Sequence, residues 1–203
     1  MTLQDKHAFI TGGGTGIGLA IAQDLAAKGA RVTITGRRQE VLDAVSGNGI
    51  TGMAMDVRDE AQVIDTIARA VEANGPVQIC VANAGVAEGR SLHKTDLDFW
   101  RDMMATNLDG AFLSIRESLK SMRQTDWGRV IAVSSMAGLR GLPGAACYSA
   151  SKHGMIGLIR SLSEDYMGQP FTFNALCPGY VDTEIIARNT QAISNRAGLS
   201  EEK

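Results

Sequence analysis

The chain has 203 residues, a mass of 21.5 kDa and a net charge of −2, from 20 Lys+Arg against 22 Asp+Glu. That length favours one domain spanning 1–203, and the balanced charge gives no basic footprint for a nucleic-acid backbone. With 44% apolar and 21% charged residues the composition excludes disorder, and no apolar run reaches the ~20 residues that span a bilayer, so neither nucleic acid nor membrane is expected as a partner.

The start, MTLQDKHAFITGG, carries too short an apolar patch for a secretory signal. Cys80, Cys147 and Cys177 form an odd set without metal-ligand spacing and read as buried free thiols of a reducing, cytoplasmic compartment. No metal site is expected.

In chain order, apolar runs of strand length alternate with segments of helical period. His7–Thr11 predicts a strand ending in glycines, and Gly18–Gly29 a helix with Leu19, Ile21, Ala22 and Leu25 on one face. Arg31–Thr35 is a β-branched strand, Gln39–Val45 a short helix and Gly52–Met55 a weak strand. Glu60–Asn74 follows as a helix, Val77–Ala82 as a strand and Leu97–Gln124 as one long helical stretch. Arg129–Ser134 is a strand, Tyr148–Met167 a helix and Phe171–Leu176 the last strand. Strands with few polar positions are buried on both faces, so β-α repetition of this kind predicts a Rossmann-like α/β fold: a doubly wound parallel sheet with helices on both faces.

The first strand runs through Thr11-Gly12-Gly13-Gly14-Thr15-Gly16-Ile17-Gly18 directly into a helix. Glycines let the backbone turn tightly and approach a pyrophosphate, and a helix N-terminus offers free N–H groups. The spacing Gly12, Gly16, Gly18 is not G-x-G-x-x-G, and no Gly-Lys-Ser/Thr follows, which excludes a P-loop. An ordinary glycine turn is the bland alternative. At the end of the second strand, where an acidic residue would hold a ribose diol, stand Arg37 and Arg38, whose guanidinium groups suit a 2′-phosphate. Adjacent basic pairs also arise by chance in a chain with 20 Lys+Arg, so only their position at this strand end gives them weight; on that weight NADP(H) is the expected cofactor, with NAD(H) second. Tyr148 and Lys152, four apart, share one helix face, and an ammonium beside a phenol favours the phenolate, giving a usable acid/base. Ser134 and Ser135 close the preceding strand, where a hydroxyl can orient a carbonyl or simply serve a turn. His7, His93 and His153 lack partners at metal-ligand spacing and read as structural or solvated. Trp100 and Phe112 read as packing or subunit-interface residues.

TGGGTGIG, Asp56-Val57, Asn83-Ala84-Gly85, Asn107 in MATNLDGAFL, Ser135 in VIAVSSMAG, Tyr148-Ser149-Ala150-Ser151-Lys152 and Pro178-Gly179 occur in one order, with Ser135 thirteen residues before Tyr148. This set, from residue 5 to about 185, resembles the short-chain dehydrogenase/reductase family, and within it the reductases of 3-oxoacyl thioesters and polyketide ketoreductases. The resemblance implies that Tyr148 moves the proton, Lys152 holds the nicotinamide ribose and lowers the phenol's pKa, Ser135 positions the substrate oxygen and Asn107 keeps a water-linked proton path. It places Gly12, Thr15, Gly16, Ile17, Gly18, Asn83, Ala84 and Gly85 along the dinucleotide. Asp56 and Val57 fall at the adenine, and Pro178, Gly179, Val181 and Thr183 near the nicotinamide. The expected reaction interconverts a ketone and a secondary alcohol, the substrate being an acyl thioester on CoA or a carrier protein, and the assembly a homo-oligomer, dimer or tetramer. A dehydrogenase of a sterol or cyclic alcohol is the alternative enzyme, and a non-catalytic dinucleotide-binding regulator or scaffold the alternative class. Ala82 stands where an asparagine is commoner, and Thr15 where many NADP-dependent members are basic. The family continues beyond position 203, and Ser200-Glu201-Glu202 opens a helix without a body. A longer native protein is therefore expected, with the usual C-terminal helix and last strand missing here and poor packing from about Glu184 onward.

Overall fold

The computed structural model describes residues 2–179 and Val181. Among them are six strands, β1 (His7–Thr11), β2 (Arg31–Gly36), β3 (Ile50–Ala54), β4 (Val77–Ala82), β5 (Gly128–Val133) and β6 (Phe171–Leu176), all parallel and ordered β3-β2-β1-β4-β5-β6. The helices are α1 (Gly16–Ala27), α2 (Gln39–Asp43), α3 (Glu60–Asn74), α4 (Leu97–Met104), α5 (Gly110–Met122) and α6 (Ala146–Asp165).

β1 is buried over all five residues, as its unbroken apolar run requires of a central parallel strand. Successive residues face opposite layers. Ala8 and Ile10, with Val32, Ile34, Ile79 and Val81, pack under Ala22 of α1 and Leu42 of α2. Phe9, Cys80, Ala82, Val130 and Ala132 pack on the other face against Val63 and Ile67 of α3, Ile115 and Leu119 of α5, and Met155 and Ile159 of α6. Fully burying a side chain such as Phe9 or Ile10 contributes about 1.5–3 kcal/mol, so this central layer carries much of the fold. None of these helices is long and apolar enough to cross a membrane.

Several elements fall where the sequence places them: β1, β4, α3 and β6 have the expected bounds. α3 starts where the Asp59 carboxylate accepts the Gln62 N–H and ends at Gly75, whose φ of +81° a side chain would strain. α1 starts two residues earlier than expected, because Thr15 is already in the extended N-cap conformation, and it stops before Gly29 at φ +91°. The expected single helix over Leu97–Gln124 is interrupted by a π-helical turn, Ala105–Asp109, which contains Asn107. Cys80 and Cys147 are buried, but Cys177, just past the end of β6, is only partly so. The expectations for Thr183 and for the stretch from Glu184 lie outside the described residues.

Candidate active site

Strand order reverses between β1 and β4, so the connections after them leave toward opposite faces and open a crevice at the strands' C-terminal ends. The loop after β1 is tied there to the loop after β4. The Thr11 hydroxyl accepts from the backbone N–H of both Asn83 and Ala84, each at 3.0 Å. The Asn83 amide donates to the carbonyls of Thr11 and Gly12, both at 3.0 Å. Asn83 thus turns its side chain inward, onto the glycine loop. Gly12 and Gly16 adopt φ +64° and +53°, and a Cβ on Gly18 would lie 2.5 Å from the Asn83 amide nitrogen. Bare backbone is needed at these positions to fold the loop down on β4. The first turn of α1 has no acidic residue and no side-chain cap, so the N–H groups around Gly16, Ile17 and Gly18 remain open toward the crevice, with Thr15 exposed at its rim. A cleft of about 450 Å³ runs from Gly16 and Ile17 to Leu176 and Val181.

Arg37 and Arg38 are exposed where β2 ends, and Arg38 precedes the first turn of α2. Asp56 is reached across the sheet edge, where the Met55 N–H donates to Gly36 O at 2.9 Å. Its carboxylate is gripped by Arg58, with Nε 3.0 Å from Oδ1 and Nη2 2.6 Å from Oδ2, and this pairing holds its pKa below the usual carboxylate range. Val57 is buried, and a Cβ on Gly110 would lie 2.7 Å from its Cγ2, so the valine seats the start of α5.

Asn107 is fully buried. Its Oδ1 accepts the Val86 N–H at 2.8 Å, while Nδ2 donates to Val86 O and to the Ser151 hydroxyl, both at 3.0 Å. The Ser151 hydroxyl in turn donates to Tyr148 O at 2.8 Å, which links the π-turn to the catalytic candidates on α6. A Cβ on Gly85 would stand 3.2 Å from Asn107 Oδ1 and 3.5 Å from Lys152 Nζ, so the loop after β4 reaches both. Ser135, at the head of the turn after β5, accepts the Ala137 N–H at 3.0 Å. That leaves its own O–H to donate.

Tyr148 and Lys152 sit on one face of α6, with the ammonium 5.9 Å from the centre of the phenol ring. Lys152 is 4% exposed and its Nζ donates to Val133 O at 2.8 Å. Burial lowers its pKa to about 8, against a smaller opposing effect of the nearby Cys177 thiol. The phenol departs from expectation: burial raises the Tyr148 pKa, and the effect working against this is a hydrogen bond with Ser135 rather than the ammonium. With Nζ turned to Val133 O, desolvation outweighs the charge. Pro178 O accepts the Met136 N–H at 2.9 Å, joining the loop after β6 to the Ser135 turn, with Gly179 beside it and Val181 at the cleft.

The sequence reading brought Asn107, Ser135, Tyr148 and Lys152 to one end of the sheet, and the structure has them there. It missed the parts played by Thr11, Ser151 and Arg58, and it gave Ser134 a place at the cleft but not its bond to Lys152 O. A hydroxyl that ends a buried strand, as in Thr11, was the available signal. Of the histidines, His7 is buried between Gly75 O and the Thr33 hydroxyl, at 2.7 and 2.9 Å, while His93 and His153 are exposed.

A family model described as short chain dehydrogenase matches residues 6–194. The chain is 33% identical over 205 residues to the 3-oxoacyl-acyl-carrier-protein reductase FabG of Escherichia coli, covering 98% of this chain and 82% of that one. It is 35% identical to the 3-oxoacyl-acyl-carrier-protein reductase MabA of Mycobacterium avium, over 94% of this chain and 71% of the relative. A crystal structure of a point variant of actinorhodin polyketide ketoreductase with NADPH superposes with a TM-score of 0.94 at 34% identity, covering all of this chain and 81% of that one.

Proposed function

We propose, from the premise that this chain belongs to the short chain dehydrogenase family, that it is an NADP(H)-preferring reductase of 3-oxoacyl thioesters carried on CoA or a carrier protein. The observation that supports this most directly is the buried Lys152 beside Tyr148 and Ser135, at the crevice where the strand order reverses. The residues present fit a dinucleotide: the uncapped first turn of α1 suits a pyrophosphate, and the exposed Arg37, with Arg38 next to it, suits a 2′-phosphate. When bound, the nicotinamide supplies or accepts the hydride.

The chain's own residues do the rest. The loop from Gly12 to Gly18 gives backbone N–H groups to the pyrophosphate, with Thr15 at its rim, and Gly85 leaves room next to Lys152. Asp56 and the backbone at Val57 border the adenine. Pro178, Gly179 and Val181 border the nicotinamide. Asn83 and Ala84 act through Thr11, by keeping the loop down. The Ser135 O–H donates to the substrate carbonyl oxygen. Tyr148 gives that oxygen its proton in reduction and takes it back in oxidation. Lys152, held at Val133 O, supplies positive charge beside the phenol and a donor for the ribose hydroxyls. Asn107 anchors the start of α6 through Ser151 and fixes the loop at Val86, beside which a proton path to Lys152 would run. A homo-oligomer formed through α5 completes the reading, since Phe112 is 43% exposed in the single chain, with the Arg116 guanidinium 5.4 Å from its ring.

The test is the fall of nicotinamide absorbance with NADPH and a panel of ketones that includes acetoacetyl-CoA. Turnover of the thioester above simple cyclic ketones is expected. Binding of NADPH without turnover on any ketone would replace the enzyme with a dinucleotide-binding scaffold.

A further inference from the structure

We propose that Ser134 is a positioning residue for the reaction, its hydroxyl fixing the backbone of Lys152 to the end of β5 and so setting where the ammonium stands beside the phenol. The proposal rests on the roles given above to Tyr148 and Lys152. Ser134 is 4% exposed and its Oγ donates to Lys152 O at 3.0 Å. The residue before it, Val133, accepts Lys152 Nζ at 2.8 Å. One lysine is therefore held at both ends, carbonyl and ammonium, by Val133, the last residue of β5, and by Ser134, which follows it.

The Ser134 bond is not needed to complete the helix. A carbonyl at this place in α6 already has the N–H four residues on as its partner, so the hydroxyl takes the second lone pair. What it fixes is the height of α6 against β5. Ser134 is itself anchored, because its N–H donates to Leu176 O at 2.8 Å on the neighbouring strand. The turn after it closes over the bond: a Cβ on Gly138 would lie 2.6 Å from Ser134 Oγ and 2.8 Å from Lys152 O. Only a glycine leaves room for that closure. The other groups facing the pair do not fix the helix in this way: Ser135 bonds the phenol, Cys177 past β6 acts on Lys152 through charge, and Asn107 holds the opposite side through Ser151.

The variants Ser134→Ala and Ser134→Cys test this, the thiol keeping the volume while donating weakly. Ser114→Ala is the matched control, since Ser114 Oγ makes an equally buried bond to a helix carbonyl, Gly110 O at 2.7 Å, within α5. In Ser134→Ala, kcat should fall about tenfold or more, because small misplacements of reacting groups are costly. KM for NADPH should stay within about twofold, and the rising limb of alcohol oxidation should move to higher pH by about half a unit or more, because a helix no longer fixed to the end of β5 loosens the Ser135 hydrogen bond that opposes burial at the Tyr148 phenol. Ser134→Cys should move both in the same direction by less. Ser114→Ala should lower the melting temperature and leave the limb where it is. A wild-type limb and kcat in Ser134→Ala, or the same shift in Ser114→Ala, overturns the proposal. A readout independent of turnover is the titration of Lys152 in ligand-free protein carrying 13C-labelled lysine, which should be displaced from its wild-type value in Ser134→Ala. An unchanged titration overturns the positioning role. A displaced titration in a chain that reduces no ketone leaves that role standing and removes the reductase reading instead.

Discussion

Thr11 at the end of β1 and Asn83 just past the adjacent β4, 72 positions apart in sequence, close a reciprocal pair: the threonine hydroxyl accepts the asparagine backbone N–H, and the asparagine side-chain amide donates to the threonine carbonyl, both at 3.0 Å. Thr11→Val keeps the shape and removes the acceptor of two backbone N–H groups. We expect a loss of about 1–3 kcal/mol in unfolding by urea, and weaker NADPH binding because the glycine loop is released. Unchanged affinity by fluorescence titration would show that the loop holds its form without the brace.

Tyr148→Phe should abolish turnover and leave NADPH binding nearly intact, since only the titrating hydroxyl is removed. In the proposed mechanism the phenolate is the base of the oxidative direction, so the rate should rise with pH. Burial raises the phenol's pKa and the Ser135 hydrogen bond opposes that, so Ser135→Ala should push the limb still higher. A limb that moves down in Ser135→Ala would contradict this assignment of causes.

The sheet and most helices were legible because they rest on local signals: unbroken apolar runs, an Asp59 cap, glycines at helix ends. Tyr148, Lys152, Ser135 and Asn107 were legible as an ordered set of short motifs. The direction of the Tyr148 shift was not, because it depends on where a flexible ammonium points, and the Val133 carbonyl that attracts it is 19 positions away. The break at Ala105–Asp109 was hidden for a related reason. Apolar periodicity continues through a π-turn, and the pull on Asn107 comes from Val86 and Ser151, neither on its own helix.

Arg37 should set the preference for NADPH over NADH. A charge-assisted contact to a phosphate contributes about 1.5–3 kcal/mol, or roughly ten- to hundredfold in affinity. Gly36→Asp should reverse the preference, and the site accepts a side chain, because an added Cβ meets nothing nearer than Leu42 Cδ2 at 3.6 Å. The ratio of kcat/KM for the two cofactors decides it. Equal use of both by the wild type would reduce Arg37 to a surface residue.

His7 makes stability depend on pH. Burial lowers its pKa below 6.5, so the folded chain favours the neutral ring, which donates from Nδ1 to Gly75 O and accepts the Thr33 hydroxyl. Both states are neutral well above 6.5, and the full stability is present there. As pH falls below that value the unfolded chain protonates first, and stability is lost until the folded ring also titrates. Melting temperatures between pH 8 and 5 should fall more steeply for wild type than for His7→Gln, and parallel curves would refute the link.

Thiol reagents should count the cysteines by burial. Cys80, with its pKa pushed up to about 11, and Cys147 should resist a charged disulfide reagent in the native chain, while Cys177 reacts. One equivalent is expected before denaturation and three after. Rapid modification of all three in native buffer would mean the interior opens far more readily than its packing implies.

The π-turn before α5 also says what kind of change the region tolerates. A turn closed over five residues is an α-helix carrying one supernumerary position, and taking one residue out of Ala105–Asp109 would let α4 and α5 run on as one regular helix. The cost would fall on azimuth rather than on helicity: everything on one side of the cut would swing by about 100° relative to the other. Substitutions here leave the helical register intact, whereas a single-codon deletion would yield a protein as helical as before by circular dichroism, with its asparagine aimed away from Val86.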